Sequence, residues 1–285
     1  MTDPAPKSAP PADRIAVVLG SSFLGVYAHA GFLNGLHDAG IRPTRIAGSS
    51  AGALAGALFC SGLRGEALRQ AALDRALRRS FVDPAALLRL PGVLTALWSS
   101  GLFSGHRTVA FLRRRLGPLD IADLPLPLDI AVTDVAGSRC EILRAGPLAE
   151  LVMASCAVPA LFTVQDVGER RYLDGGIAAE LPFEHLVDDD SIDTLVVHSI
   201  RHPAGSGPNV GWETVANAIG IAHHTACNEL HRLRTDLARA RGKRLIEIET
   251  ATPFPGLLGR RRPALCYQHG FDAGQSAFSD AAGGP

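Results

Sequence analysis

Two short segments hold the residues that could do nucleophilic chemistry. Gly48-Ser49-Ser50-Ala51-Gly52 has the form G-x-S-x-G, and Asp174-Gly175-Gly176 lies far downstream. The first pattern puts a serine on a sharp strand-to-helix turn with its hydroxyl held out for attack. Arg45-Ile46-Ala47 reads as the strand going in, and residues 53–58 as a helix of small side chains coming out, able to lie close against a sheet. Gly48 and Gly52 supply the backbone freedom that such a turn needs. The helix N-terminus behind Ser50 offers free N–H groups and a positive dipole end to a developing oxyanion. Ser49 is assigned to the turn itself.

Asp174 follows the strand-like Arg170-Arg171-Tyr172-Leu173 and precedes two glycines, an arrangement that presents a carboxylate at a strand end. Two readings of the base stay open. An α/β-hydrolase uses Ser, an acid and a His in that chain order, which would recruit His198, His202 or another late histidine. The alternative is a Ser–Asp dyad in which the carboxylate takes the serine proton directly. Asp134, after a strand, is read as a structural hydrogen-bonding residue, and His29 as a packed or capping one. His223, His224 and His231 fall on a long helix with no accompanying acid–Cys pattern, so no metal site is expected.

Taken together the segments resemble a bacterial patatin-like phospholipase. Four matches carry the resemblance, and in order they cover roughly residues 14 to 190. They are the loop Gly20-Ser21-Ser22-Phe23-Leu24-Gly25 leading to His29-Ala30-Gly31, then Gly48 to Gly52, then Ala131-Val132-Thr133-Asp134 with Ala154-Ser155-Cys156-Ala157-Val158-Pro159, and finally Asp174-Gly175-Gly176. The resemblance implies Ser50 as nucleophile, Asp174 as its base, and an oxyanion loop of Gly20, Ser21, Ser22, Phe23 and Gly25. It implies an acyl-lipid substrate and no cofactor. One departure stands out. The family's loop reads G-G-G-x-(Arg or Lys)-G, whereas here Ser21 and Ser22 replace glycines, Leu24 takes the basic position, and the stretch from Gly25 to Gly31 is one residue longer. Amide donors do not depend on side chains, so the N–H groups of Ser21, Ser22 and Phe23 are the expected hole. A loop weakened by these changes would suit a catalytically weak regulatory or acyl-binding protein, which is the rival reading from another class.

Composition sets bounds on partners. The 285 residues carry equal numbers of acidic and basic side chains, so no electrostatic case exists for a nucleic-acid partner. Five scattered cysteines without C-x-x-C spacing read as reduced thiols in a cytoplasmic protein. Residues 1–13, rich in Pro and Ala, read as a disordered tail, with a single domain over 14–280. No run reaches the ~20 apolar residues of a membrane span. Transient contact with a membrane surface is suggested by two stretches: an apolar band over residues 87–103, and a Pro/Gly-rich loop with Phe254, Leu257, Leu258 and Arg260 to Arg262.

The elements that must position these residues alternate. Ile15-Ala16-Val17-Val18-Leu19 is a continuous apolar run, the mark of a strand buried on both faces. Helices are expected over 27–39, 66–79, 107–116, 148–156 and 212–241. Further strands are expected over 129–133, 139–143, 170–173, 194–199 and 244–249, the last of these closing the fold. The pattern predicts an α/β fold, a three-layer αβα sandwich with a mainly parallel central sheet. Active sites in such sheets lie beyond the carboxyl ends of the strands.

Overall fold

The computed structural model describes residues 14–95, 99–203, 215–256 and 261–278. The N-terminal tail, Leu97, Trp98, Trp212, Leu257, Leu258 and Arg260 lie outside the described residues. The chain opens as β1 (Ile15–Leu19), α1 (Val26–Asp38), β2 (Arg45–Ser49) and α2 (Ala51–Cys60). Next come α3 (Gly65–Leu73), α4 (Arg75–Ser80), α5 (Ala86–Thr95), β3 (Gly101–Phe103) and α6 (His106–Leu116). The middle holds β4 (Leu128–Asp134), β5 (Arg139–Leu143), α7 (Leu148–Ser155), β6 (Ala160–Phe162), β7 (Gln165–Val167) and β8 (Arg170–Leu173). The last elements are α8 (Glu184–Val187), β9 (Thr194–Arg201), α9 (Val215–Ala240), β10 (Arg244–Ala251) and α10 (Arg261–Ser276).

The sheet runs β10-β9-β1-β2-β4-β8-β7, with β5 also on β4. Its first five strands are parallel, and β5, β7 and β8 pair antiparallel. Side chains of β1 point alternately to opposite faces, as strand geometry requires, and so feed two cores. Ile15, Val17 and Leu19 pack with α1, α2 and α7, while Ala16 and Val18 pack with Phe183, Leu186 and Ala238 of the α8–α9 side. This is the expected three-layer αβα arrangement.

Two expectations are corrected. The helix expected over 66–79 is two helices, α3 and α4, because Asp74 turns extended (ψ 124°) and its carboxylate accepts the Ala76 N–H at 2.7 Å. An N-capping aspartate competes with helix continuation in this way. The chain also does not end on β10. Arg261 and Arg262, expected in a loop, open α10, in whose first turn Pro263 sits where its missing N–H is tolerated.

Helix α10 crosses α1 at backbone contact. A Cβ on Gly31 would lie 2.0 Å from the Tyr267 carbonyl oxygen, and one on Gly270 would lie 2.0 Å from that of Ala28. Any side chain at either position would force the helices apart. The crossing therefore fixes α1, and with it the loop that enters α1 from β1.

Candidate active site

Ser50 links β2 to α2 with φ 52° and ψ −117°, a left-handed conformation unfavourable for a non-glycine residue. Close packing makes the turn possible. A Cβ on Gly52 would lie 2.2 Å from the Leu19 carbonyl oxygen, and one on Gly48 2.6 Å from the Ala53 nitrogen. The Ser50 N–H donates to Ser155 Oγ at 2.8 Å, and Ser155 Oγ–H donates to the Ala131 carbonyl at 2.7 Å. Ser155, at the end of α7, thus braces the strained residue against β4. Sequence reasoning gave it no role, although it lies inside a segment already singled out. Ser49 Oγ is buried without a hydrogen-bond partner among the described residues, facing Gly175.

Asp174 reaches Ser50 through strand register. Along one edge β4 pairs with β5 from Ile130 to Asp134, and along the other with β2 as far as Ala131 opposite Ser49. Where β2 ends, β8 takes over that edge, pairing Leu173 with Thr133 and Tyr172 with Asp134. Because β8 runs antiparallel, its C-terminal end meets the C-terminal end of β2. Ser50 Oγ–H donates to Asp174 Oδ2 at 2.7 Å, and Oδ1 accepts the Gly176 N–H at 2.7 Å. The Asp174 backbone is tied on both sides, its carbonyl to Thr133 Oγ1 and its N–H to the Ala157 carbonyl. Thr133 is a second supporting residue that sequence reasoning did not single out. A Cβ on Gly175 would lie 2.2 Å from the Ala131 carbonyl oxygen, and one on Gly176 2.4 Å from Ser21 Oγ.

Asp174 is 3% exposed. Burial raises its pKa to about 6, against the opposing pull of the hydrogen bonds from Ser50 and Gly176. A carboxylate of that basicity in contact with a serine hydroxyl can accept its proton near neutral pH.

The loop after β1 divides into two parts. The Gly20 N–H donates to the His198 carbonyl at 3.0 Å and the Ser21 N–H to the Glu180 carbonyl at 2.8 Å, while Gly25 N–H closes on Ser22 O. The amide of Ser21 is therefore committed, which corrects its expected part as an oxyanion donor. Those of Ser22 and Phe23 have no hydrogen-bond partner among the described residues. Both residues line a cavity of about 330 Å³ together with Ser50, Leu54, Phe81 and Phe162. Leu24, in the family's basic position, adopts φ 55° and packs on the core. A positive charge borders the cavity from another element, Arg78 in the last turn of α4.

The remaining candidates lie elsewhere. No histidine is among the hydrogen-bond partners of Ser50 or Asp174 in the described residues. His198 bonds His29 and Thr250, and His202 bonds the Thr252 carbonyl. His224 pairs with Glu180 and His231 with Glu247, and the described residues hold no cluster of metal-ligating side chains. Asp134 accepts the N–H groups of Ala136 and Gly137 and so holds its own turn.

Comparison with known proteins places the chain by family and by fold. The family model for patatin-like phospholipases matches residues 17–187, a span that takes in the β1 loop, the Ser50 turn and Asp174. An uncharacterized NTE family protein of Mycobacterium tuberculosis is 29% identical over 204 residues, 70% of this chain and 54% of that protein. The neuropathy target esterase sws of Drosophila grimshawi is 31% identical over 176 residues, 60% of this chain and 11% of that one. The chain thus spans about half the length of the mycobacterial relative. Among solved structures, VipD from Legionella pneumophila superposes with a TM-score of 0.52 at 14% identity, covering 96% of this chain and 68% of its own, a likeness of fold. On the family match across its motif-bearing region, the chain belongs to the patatin-like phospholipase family.

Proposed function

We propose that this protein is a serine-dependent acyl-ester hydrolase acting on phospholipid, lysophospholipid or neutral acyl ester. The observation that carries the reading is the 2.7 Å hydrogen bond from Ser50 Oγ to a buried Asp174 with no histidine between them. Ser50 Oγ attacks the ester carbonyl as its proton passes to Asp174 Oδ2. The oxyanion of the tetrahedral intermediate takes hydrogen bonds from the Ser22 and Phe23 amides, near the positive end of α2. Collapse expels the alcohol, which collects the proton from Asp174. A water molecule then surrenders a proton to the same carboxylate as it attacks the acyl-serine, and collapse releases the fatty acid while Ser50 Oγ takes that proton back from Asp174. The apolar cavity beside Ser50 suits an acyl chain.

Exposed apolar side chains support contact with a lipid surface. Phe23 is 45% exposed and stacks on Phe254 at 5.6 Å, and Arg262 donates to the Phe254 carbonyl. Leu87 and Leu88 of α5 are 79% and 81% exposed. Among the described residues no helix is long and apolar enough to cross a membrane. Binding to anionic vesicles should fall with added salt and with alanine at Arg260, Arg261 and Arg262, while turnover of a soluble ester is unchanged. Equal binding of both proteins would remove the basic cluster from the lipid surface.

The test of the chemistry is fluorophosphonate labelling with mapping of the adduct. The adduct is expected on Ser50 and absent from Ser50→Ala. Labelling that persists in that variant at Ser22 or Ser155 overturns the assignment. The committed Ser21 amide favours a second reading, an acyl-binding protein of little activity. Turnover of a short-chain p-nitrophenyl ester separates the two.

A further inference from the structure

Two histidines are fully buried where α1 packs on the sheet, His29 on α1 and His198 on β9. Buried imidazoles need partners for both ring nitrogens, and here the partners determine every proton. His29 Nε2 lies 2.8 Å from the Gly20 carbonyl oxygen, which can only accept, so Nε2 carries the hydrogen. Burial lowers the His29 pKa to about 4 and that of His198 well below its ordinary value, so both rings are neutral near pH 7. His29 Nδ1 is then a lone pair that accepts from His198 Nδ1–H at 2.9 Å. His198 Nε2 in turn accepts from Thr250 Oγ1–H on β10 at 2.8 Å. Phe32 stacks on the His198 ring at 3.9 Å and closes its open face. The result is a single directed chain of hydrogen bonds from Thr250 through His198 and His29 to Gly20.

The chain ends on one peptide plane. Its C=O belongs to Gly20 and accepts from His29, and its N–H belongs to Ser21 and donates to the Glu180 carbonyl. His198 acts twice, because its own carbonyl holds the Gly20 N–H. The next two amides, those of Ser22 and Phe23, are the ones without partners that line the Ser50 cavity. Such pinning matters in this loop, which keeps Leu24 at a left-handed φ of 55°, a conformation that non-glycine residues persist in only when the surroundings hold them.

We propose that His29, held by His198 and Thr250, is a positioning residue for the oxyanion loop: it clamps the Gly20–Ser21 peptide and so aims the Ser22 and Phe23 amides at the carbonyl attacked by Ser50. The proposal rests on the serine-hydrolase reading above. It gives His29 a part in transition-state stabilisation without contact to substrate.

The experiment compares His29→Leu, which fills the space without polar atoms, with His29→Gln, whose amide can donate to Gly20 O and accept from His198. Hydrolysis of a soluble p-nitrophenyl ester is read together with inhibition by a trifluoromethyl ketone, which forms a tetrahedral oxyanion adduct on serine. Loss of one oxyanion donor costs roughly 100- to 1,000-fold in kcat, so a misaimed pair should cost His29→Leu about 10- to 100-fold with KM unchanged. The inhibition constant should rise by the same factor, and His29→Gln should restore most of both. A folded His29→Leu with wild-type kcat overturns the proposal, as does equal loss in the Leu and Gln variants. If His29→Leu does not fold, Thr250→Val and Thr250→Ser replace it. The valine variant should lower kcat and raise the inhibition constant while serine restores both, and identical kinetics in the two would overturn the proposal. Ser50→Ala is run alongside. Activity in that variant sinks the serine reading itself, whereas an inert Ser50→Ala with an unaffected His29→Leu sinks only the clamp.

Discussion

Among the described residues, the Ser50–Asp174 and Ser104–Asp83 pairs share a hydrogen-bond length and have opposite electrostatics. Ser50 Oγ–H donates to Asp174 Oδ2 at 2.7 Å, and Ser104 Oγ–H donates to Asp83 Oδ2 at 2.7 Å. Asp83 also accepts from Arg89 Nη1 and the Ala85 N–H, each at 2.9 Å, and His106 lies against Ser104. The Ser104 hydrogen bond, then the Ala85 N–H and Arg89, hold the Asp83 carboxyl well below the usual range. At Asp174 no cation is among the carboxylate's partners in the described residues, and burial raises it to about 6. A short Ser–Asp contact therefore does not by itself mark a nucleophile and its base. What distinguishes the pair at Ser50 is a desolvated carboxylate without a counter-charge, beside a serine held in a strained turn.

The largest expected effect tests that distinction directly. Ser50→Ala and Asp174→Asn should each lower kcat on the order of 10⁴-fold, the scale of removing a member of a nucleophile–base unit. Ser104→Ala should leave turnover intact. Comparable losses at Ser104 and Ser50 would erase the comparison, and a similar loss on replacing His202 would reopen the triad reading.

The pH profile is the next test. Asp174 must be unprotonated to accept the serine proton, so kcat/KM should fall about tenfold per pH unit below about pH 6 and level off above it. An acid limb near pH 4 would mean that burial does not set the basicity of Asp174. Arg89→Leu acts on the other pair and should not move the limb.

Stability should separate the pairs with opposite signs. A folded-state pKa of about 6 for Asp174, against an ordinary 3.8, means that the fold binds a proton more tightly than the unfolded chain. Its contribution is thus present at low pH and lost as pH rises from about 4 through about 6. The difference corresponds to on the order of 3 kcal/mol, so Asp174→Asn should stabilise the protein at pH 7 by up to about that amount. Asp83 is depressed in the fold, so its contribution is present above the ordinary carboxylate pKa and lost on acidification. Asp83→Asn should destabilise at pH 7 by about 1 to 3 kcal/mol, the range for hydrogen bonds to charged groups, and by less in acid. Urea unfolding at pH 4 and pH 7 reads both, and stabilisation by Asp83→Asn would contradict the account.

Much of this was legible in the chain because it depends on local backbone demands. A serine in a left-handed turn needs neighbours without side chains, and Gly48 and Gly52 announce that in five residues. A strand buried on both faces needs an unbroken apolar run, which residues 15–19 display. The interruption of the helix at Asp74 was written in local residues too, but the carboxylate that caps one helix also reads as an ordinary member of a longer one. The Pro/Gly-rich setting of Arg260 to Arg262 reads as a loop, although the proline that follows them is acceptable in a first helical turn and Gly270 serves close packing on α1.

What the tertiary structure alone decided concerns partners far apart in sequence. Asp174 meets Ser50 because β8 occupies the edge of β4 that β2 vacates, and register across a sheet has no signature in either strand. The Ser21 amide is lost to the oxyanion because the Glu180 carbonyl arrives there from beyond β8. The basicity of Asp174 is a property of the surrounding layers, since an aspartate before two glycines has ordinary acidity until it is buried without a cation. The sequence determined which residues have the right chemistry and where the backbone must bend. Hydrogen-bond partners and desolvation are set by whatever chain the fold brings alongside, and only the assembled layers decide them.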